Sequence, residues 1–173
     1  MVIQSRHLWL TAGLLVLILL SGIGLYLYLR PTDEKLIRAQ FAKLVELTAK
    51  NGKEGAIPAA GKARKMASFF SERSTFSVNG MDWMAGPFSR KDLSANIFRS
   101  RARFSNLKLS LDDLELNIDP GKGTAQVFLS AALSGTLKDG NSIREVRELE
   151  SRLTKTDEGW LFESFKVREI IKK

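Results

Sequence analysis

The stretch from Phe104 to Ile170 leaves this chain few ways to fold, because it reads as four long strands joined by tight turns. "FSNLKLSLDDLELNI" puts Leu107, Leu109 and Leu111 on one parity and Leu114, Leu116 and Ile118 on the other. Side chains alternate between the faces of a strand, so this change of parity predicts a bulge or sharp bend at Asp112-Asp113. "DPGKG" (119–123) is a hairpin turn. "TAQVFLSAALSGTL" then places Ala125, Val127, Leu129, Ala131 and Leu133 on one face. "KDGN" (138–141) turns again, with Asp-Gly at its centre. The charged strand "SIREVRELESRLTK" follows, and "DEG" returns it into "WLFESFKVREI".

A sheet that is apolar on one face needs cover, and the preceding residues supply it. Asp33 and Glu34 suit the positive end of a helix dipole. Ile37, Phe41, Leu44 and Val45 recur at helical spacing, and Asn51-Gly52 ends the pattern, predicting a helix over 33–50. "NGKEGAIPAAG" reads as a flexible link. Ala63, Met66, Ala67 and Phe70 share a face of a second helix over 60–72. "TFSVN" (75–79) alternates as a short strand, and "GMDWMAGPF" (80–88) is an unusually apolar loop. Ser89 with Asp92 forms a capping box ahead of a third helix over 90–99. Helices first and a meander after predict an α+β domain, with three helices packed on a strongly bent antiparallel sheet.

Ahead of this domain, Leu8–Leu29 carries no charge over 22 residues. As a helix it would measure about 33 Å, against a hydrocarbon core of about 30 Å. Trp9 at one end and Tyr26 and Tyr28 at the other suit the interfacial belts. A cleaved leader would have an apolar region of about 7–15 residues ending in a small-x-small site. Gly22-Ile23-Gly24 is a poor site and more apolar residues follow it, so an uncleaved transmembrane helix is expected. The expected organisation is a tail over 1–7, a span over 8–29 and a domain over 32–171. A raw count of flanking charge, Arg6 against Arg30, Lys35, Arg38 and Lys43, would keep the domain in the cytoplasm. The very short tail behaves like a signal anchor, which favours a single-pass inner- or plasma-membrane protein with its domain on the periplasmic or extracytoplasmic side.

The titratable inventory excludes several chemistries. The one histidine is His7, both tyrosines lie in the apolar stretch, and there is no cysteine. From Arg30 onward a Ser-His-Asp, Cys-His or His-ligated zinc site cannot be built from one chain. No cofactor or metal is expected, and an enzyme is the less favoured reading. "GAIPAAGKA" (55–63) lacks the spacing and the hydroxyl of a phosphate loop, and "DDLE" (112–115) lacks the pattern of a calcium loop. The remaining candidates for a pocket or interface are Asp82, Trp83, Met84 and Phe88 in or at the end of the apolar loop, and Glu145 and Glu148 on the charged strand. A carboxylate among them could act as acid or base only with a shifted pKa. The plain alternative is a turn-capping aspartate, with glutamates paired to Arg144, Arg147 or Arg152.

From Arg30 onward stand 26 of the 27 Lys and Arg and all 19 Asp and Glu, a net charge of +7. Arg99, Arg101 and Arg103 alternate near Lys108, and read as a strand they share one face. Anionic lipid is the favoured contact for that face. Nucleic acid is unlike it, since only Phe98 and Phe104 interleave. Solvated edge charge that discourages aggregation is the plain reading.

This order of elements resembles the nuclear transport factor 2-like superfamily, a cone-shaped cystatin-like α+β fold. The resemblance rests on the paired helices 33–50 and 60–72, the helix 90–99, "GKGTAQVFLSAAL", and the hairpin "ESRLTKTDEGWLFESFKV" with its Gly159-Trp160 opening. It spans about residues 32–171. It implies a cone whose interior can hold a ligand, and dimers through the sheet. Enzymes of that superfamily, such as ketosteroid isomerases, polyketide cyclases and dehydratases, place Asp, His, Tyr or Trp in the pocket. Other members are association or assembly domains. One group carries a single N-terminal span with the cone in the periplasm, as in the type IV secretion assembly factor. The layout here is similar, although no motif of that protein is matched. The expected function is a non-catalytic domain acting through protein–protein association in a bacterial-type envelope, as a homodimer or with an envelope partner. The alternative is a small apolar ligand or lipid in the cone, with or without weak isomerase- or dehydratase-like chemistry.

Overall fold

A computed structural model describes residues 31–78 and 86–170. The elements are α1 (Asp33–Thr48), β1 (Lys50–Asn51), α2 (Ala56–Ala67), β2 (Phe70–Val78), β3 (Gly86–Ser89), α3 (Arg90–Ala102), β4 (Phe104–Asp119), β5 (Thr124–Leu137), β6 (Ser142–Thr156) and β7 (Gly159–Ile170). The strands form one strongly bent sheet in the order β1-β4-β5-β6-β7-β2-β3. Among the described residues no helix is long and apolar enough to cross a membrane. The expected span over 8–29 lies outside them.

The meander β4 to β7 is antiparallel throughout, as its turns dictate. The expectation of a wholly antiparallel sheet needs correction, because β2 pairs with β7 in parallel. Parallel neighbours need a long crossover. Here the whole of α3 and the meander lie between the two strands, so no local turn announces the pairing. The second helix also differs from its expected range. Gly55 is its N-cap, and Pro58 sits in the first turn, where a missing N–H costs nothing. The helix therefore starts at Ala56 and ends at Ala67, and Phe70–Glu72, expected as helix, is strand. Lys50–Asn51 and Gly86–Ser89, expected as helix end and loop, form short strands. Ser89 Oγ accepts from the Asp92 N–H at 3.1 Å, so the third helix begins where its capping box requires and runs on to Ala102.

Of the several register shifts in the sheet, two bulges set which side chains face the core. Between Asp112↔Ser130 and Glu115↔Phe128 the strand β4 gains one residue, and Asp113 takes φ 53°. That extra residue returns Leu116 and Ile118 to the face already used by Leu109 and Leu111. The second bulge gives β7 an extra residue at Glu163, between the pairs Leu153↔Phe162 and Arg152↔Ser164. Phe162 and Phe165, three apart, thereby both reach the core, with ring centroids 5.1 Å apart. Two fully buried serines serve this irregularity. Ser74 Oγ donates to the Phe162 carbonyl at 3.2 Å and Ser151 Oγ to the Ser164 carbonyl at 3.1 Å. A buried carbonyl next to a bulge is costly unless paired.

The core lies between α1, α2 and the concave face. Ile37, Phe41, Val127, Leu153 and Phe162 are fully buried there. Gly135 faces Leu107 across β4 and β5. A Cβ at this position would lie 2.7 Å from the Asn106 carbonyl oxygen and 2.9 Å from Phe104 Cδ1. Gly135→Val is therefore expected to destabilise the fold by about 1–3 kcal/mol, as overpacking does. Urea unfolding would read this, and an unchanged midpoint would refute the close approach.

Candidate functional site

The concave side keeps a cavity of about 700 Å³ between α3 and the sheet. Its apolar wall comes from Met66 on α2, Phe76 on β2, Phe88 on β3, Leu93 and Ile97 on α3, and Leu133 on β5. Phe76 and Phe88 meet edge to face at 5.7 Å. Thr48, Asn96 and Ser100 add neutral polar groups, and Arg99, Arg101 and Arg103 add the charge. Among the described residues no Asp or Glu lines it.

The arginines depart from the expected strand. They sit at the end of α3, where residues two apart point to nearly opposite sides and residues four apart share one. Arg99 and Arg103 are exposed, while Arg101 turns inward and is 4% exposed. Its Nη1 donates to the carbonyls of Leu47 and Thr48 at the end of α1. Its Nη2 donates to the Ala49 carbonyl at 3.5 Å and to Glu54 Oε2 at 2.9 Å. Lys50, also buried, reaches the opposite way: its Nζ donates to the carbonyls of Arg101 at 3.2 Å and Phe104 at 2.6 Å. A cation following α1 thus caps α3, and a cation on α3 caps α1, each at the negative end of a helix dipole.

Glu54 is the carboxylate of this cluster. Burial would push its carboxyl up, but hydrogen bonds from Lys62 and Arg101, and their charges, hold it below its ordinary value. At the other end of α1, Asp33 Oδ1 accepts from Lys155 Nζ at 2.7 Å and Trp160 Nε1 at 3.0 Å, and these bonds hold its carboxyl down as well. A carboxylate with a depressed folded-state pKa contributes stability that is present above its unfolded-state value and lost as pH falls through the folded-state one. The melting temperature is expected to hold steady above about pH 5 and to fall progressively below about pH 4. In Asp33→Asn that acid-side fall should be shallower, as thermal melts across the range would report. An identical slope in the variant would show that Asp33 contributes nothing to it.

Of the other candidates, Phe88 lines the cavity. Asp82, Trp83 and Met84 lie outside the described residues. Glu145 pairs across from Leu133 but is not part of the lining, and Arg147 Nη2 holds it at 2.7 Å. Glu148 faces Ser130 on the opposite side of the sheet from Val127 and Leu129, and it is exposed. Lys108 is exposed beside Ser134 on β4 and belongs to no part of the cavity wall. Sequence reasoning missed Lys50, Glu54, Ile97 and Leu133 as parts of this region. Only the parity of Leu133 could have signalled its inward face.

No family model matches the chain, and no curated protein matches it in sequence. Solved structures do match. The Kfla4162 protein of Kribbella flavida superposes with a TM-score of 0.65 at 16% identity, over 81% of this chain and 91% of that one. An NTF2-like protein with a cystatin-like fold from Novosphingobium aromaticivorans gives 0.59 at 16% identity, over 86% of each chain. A proposed dehydratase of the NTF2-like family from Streptomyces avermitilis gives 0.62 at 12% identity, over 83% of this chain and 100% of that one. The domain therefore has the NTF2-like fold, an α+β cone with three helices on a bent mixed sheet.

Proposed function

We propose that this domain binds a small, largely apolar ligand inside its cone. The observation that carries the reading is the cavity of about 700 Å³, with an apolar wall and a few polar groups. That volume and composition are those of small-molecule sites. The proposed dehydratase among the structural neighbours is consistent with a cone that accepts small molecules. The lining favours binding over acid–base chemistry, because the described wall offers donors and no carboxylate. The uncharged Leu8–Leu29 stretch is long enough to hold the cone at a membrane. Association through the outer sheet face is less well supported. Glu148 is exposed there, and Arg168 pairs with Glu150 at 2.9 Å and lies 5.0 Å over Phe128, so the face is charged rather than apolar.

The test is methyl NMR on the full-length chain, following Ile97 and Leu133 during titration with dodecanol. Saturable shifts of both are expected, and Leu133→Trp, which fills the cavity, should abolish the Ile97 shifts while the melting curve stays cooperative. Methyl signals that ignore the probe would rule out an accessible cone.

A further inference from the structure

The geometry points to an amphiphilic anion as the ligand: an apolar body that ends in a carboxylate or phosphate, held by Arg99 and Arg103. This inference rests on the ligand-binding reading above. The charged groups of the lining are all guanidinium, with no carboxylate among the described lining residues to neutralise them. Glu54 meets Arg101 but is not part of the wall, and it is already shared with Lys62 at 2.7 Å. The end of α3 offsets only about half a charge, and Lys50 already occupies the carbonyls of Arg101 and Phe104. An apolar cavity whose wall also carries the exposed guanidinium groups of Arg99 and Arg103 is complementary to a molecule of the same division.

Arg101 stands behind that pair as part of the wall. Its terminal nitrogens are engaged by α1 and Glu54, while its buried Nε has no hydrogen-bond partner among the described residues. The guanidinium is fixed in place by these bonds, so it adds positive charge to the wall rather than a donor to the ligand. Arg99 and Arg103, one turn apart on the same side of α3, add two exposed forks of the kind that bind carboxylate and phosphate in pairs. Arg99 is steadied by Asn96 Oδ1 at 3.3 Å, and Asn96 is itself part of the lining.

The experiment compares dodecanoate, dodecyl phosphate and dodecanol on the full-length chain, with the methyl signals of Ile97 and Leu133 as the readout. Because these signals report the cone, binding elsewhere on the chain does not interfere. At least one anion is expected to bind about tenfold or more tightly than the alcohol, as charge-assisted hydrogen bonds would give. Arg99→Gln with Arg103→Gln should remove most of that preference, weakening the anions far more than dodecanol, while the melting curve stays cooperative. The tighter of the two anions identifies the headgroup. Three probes that titrate alike would overturn the anion and leave the apolar pocket standing. An anion preference that survives the double substitution would overturn the assignment to Arg99 and Arg103. Silence from every probe would overturn both this inference and the ligand-binding reading.

Discussion

Replacing Arg101 with alanine is expected to lower the unfolding free energy by about 3 kcal/mol, the lower end of the range for breaking a buried ion pair. The change deletes every donor that now serves the carbonyls of Leu47 and Thr48. Those acceptors stand at the end of α1 under a buried side chain, so water replaces the lost donors only if the wall opens. Glu54 loses one partner but keeps Lys62, which is why the upper end of the range is not reached. Arg101→Met should be nearly as damaging, because it restores the bulk of the stem and none of the hydrogen bonds. Arg101→Lys should fall between, keeping the charge with too few donors in the wrong geometry. Urea unfolding of the three variants would measure the order. A loss below about 1 kcal/mol in the alanine variant would mean that these carbonyls do not depend on Arg101.

Phe162→Ala is expected to cost about 3–5 kcal/mol, the range for deleting a buried phenylalanine ring. Phe162 is 0% exposed and meets Phe41 edge to face at 5.0 Å, Phe70 at 5.3 Å and Phe165 at 5.1 Å. It therefore joins α1, β2 and β7, and three elements face the void when it goes. Relaxation is limited because Phe162 belongs to the bulge that Ser74 and Ser151 hold. Phe162→Leu should cost roughly half as much, since most of the volume remains. Equal losses in the two variants would show that ring contact, not volume, sets the energy.

What was legible in the sequence follows from how locally it is encoded. The four long strands were readable because Pro120-Gly121 and Asp139-Gly140 mark turns and the leucines keep strict parity. The bulge at Asp112-Asp113 was readable for the same reason, since a parity change has one structural meaning. The start of α2 was not, because Pro58 reads as a breaker until its place in the first turn is known. The pairing of β2 with β7 depends on where α2 delivers the chain, which no local pattern states. Arg99, Arg101 and Arg103 were the costliest misreading. An alternation of charge fits a strand, and the same residues on a helix place one inside and two outside.

The crossed caps at Arg101 and Lys50 have a consequence for motion. The last turn of α1 cannot fray without releasing Arg101, and the end of α3 cannot fray without releasing Lys50. Helix ends ordinarily open one by one, at little cost. Here the two ends are a single cooperative unit, closed or open together. The wall of the cavity built from Thr48 and Arg101 then behaves as one rigid panel rather than two loose edges.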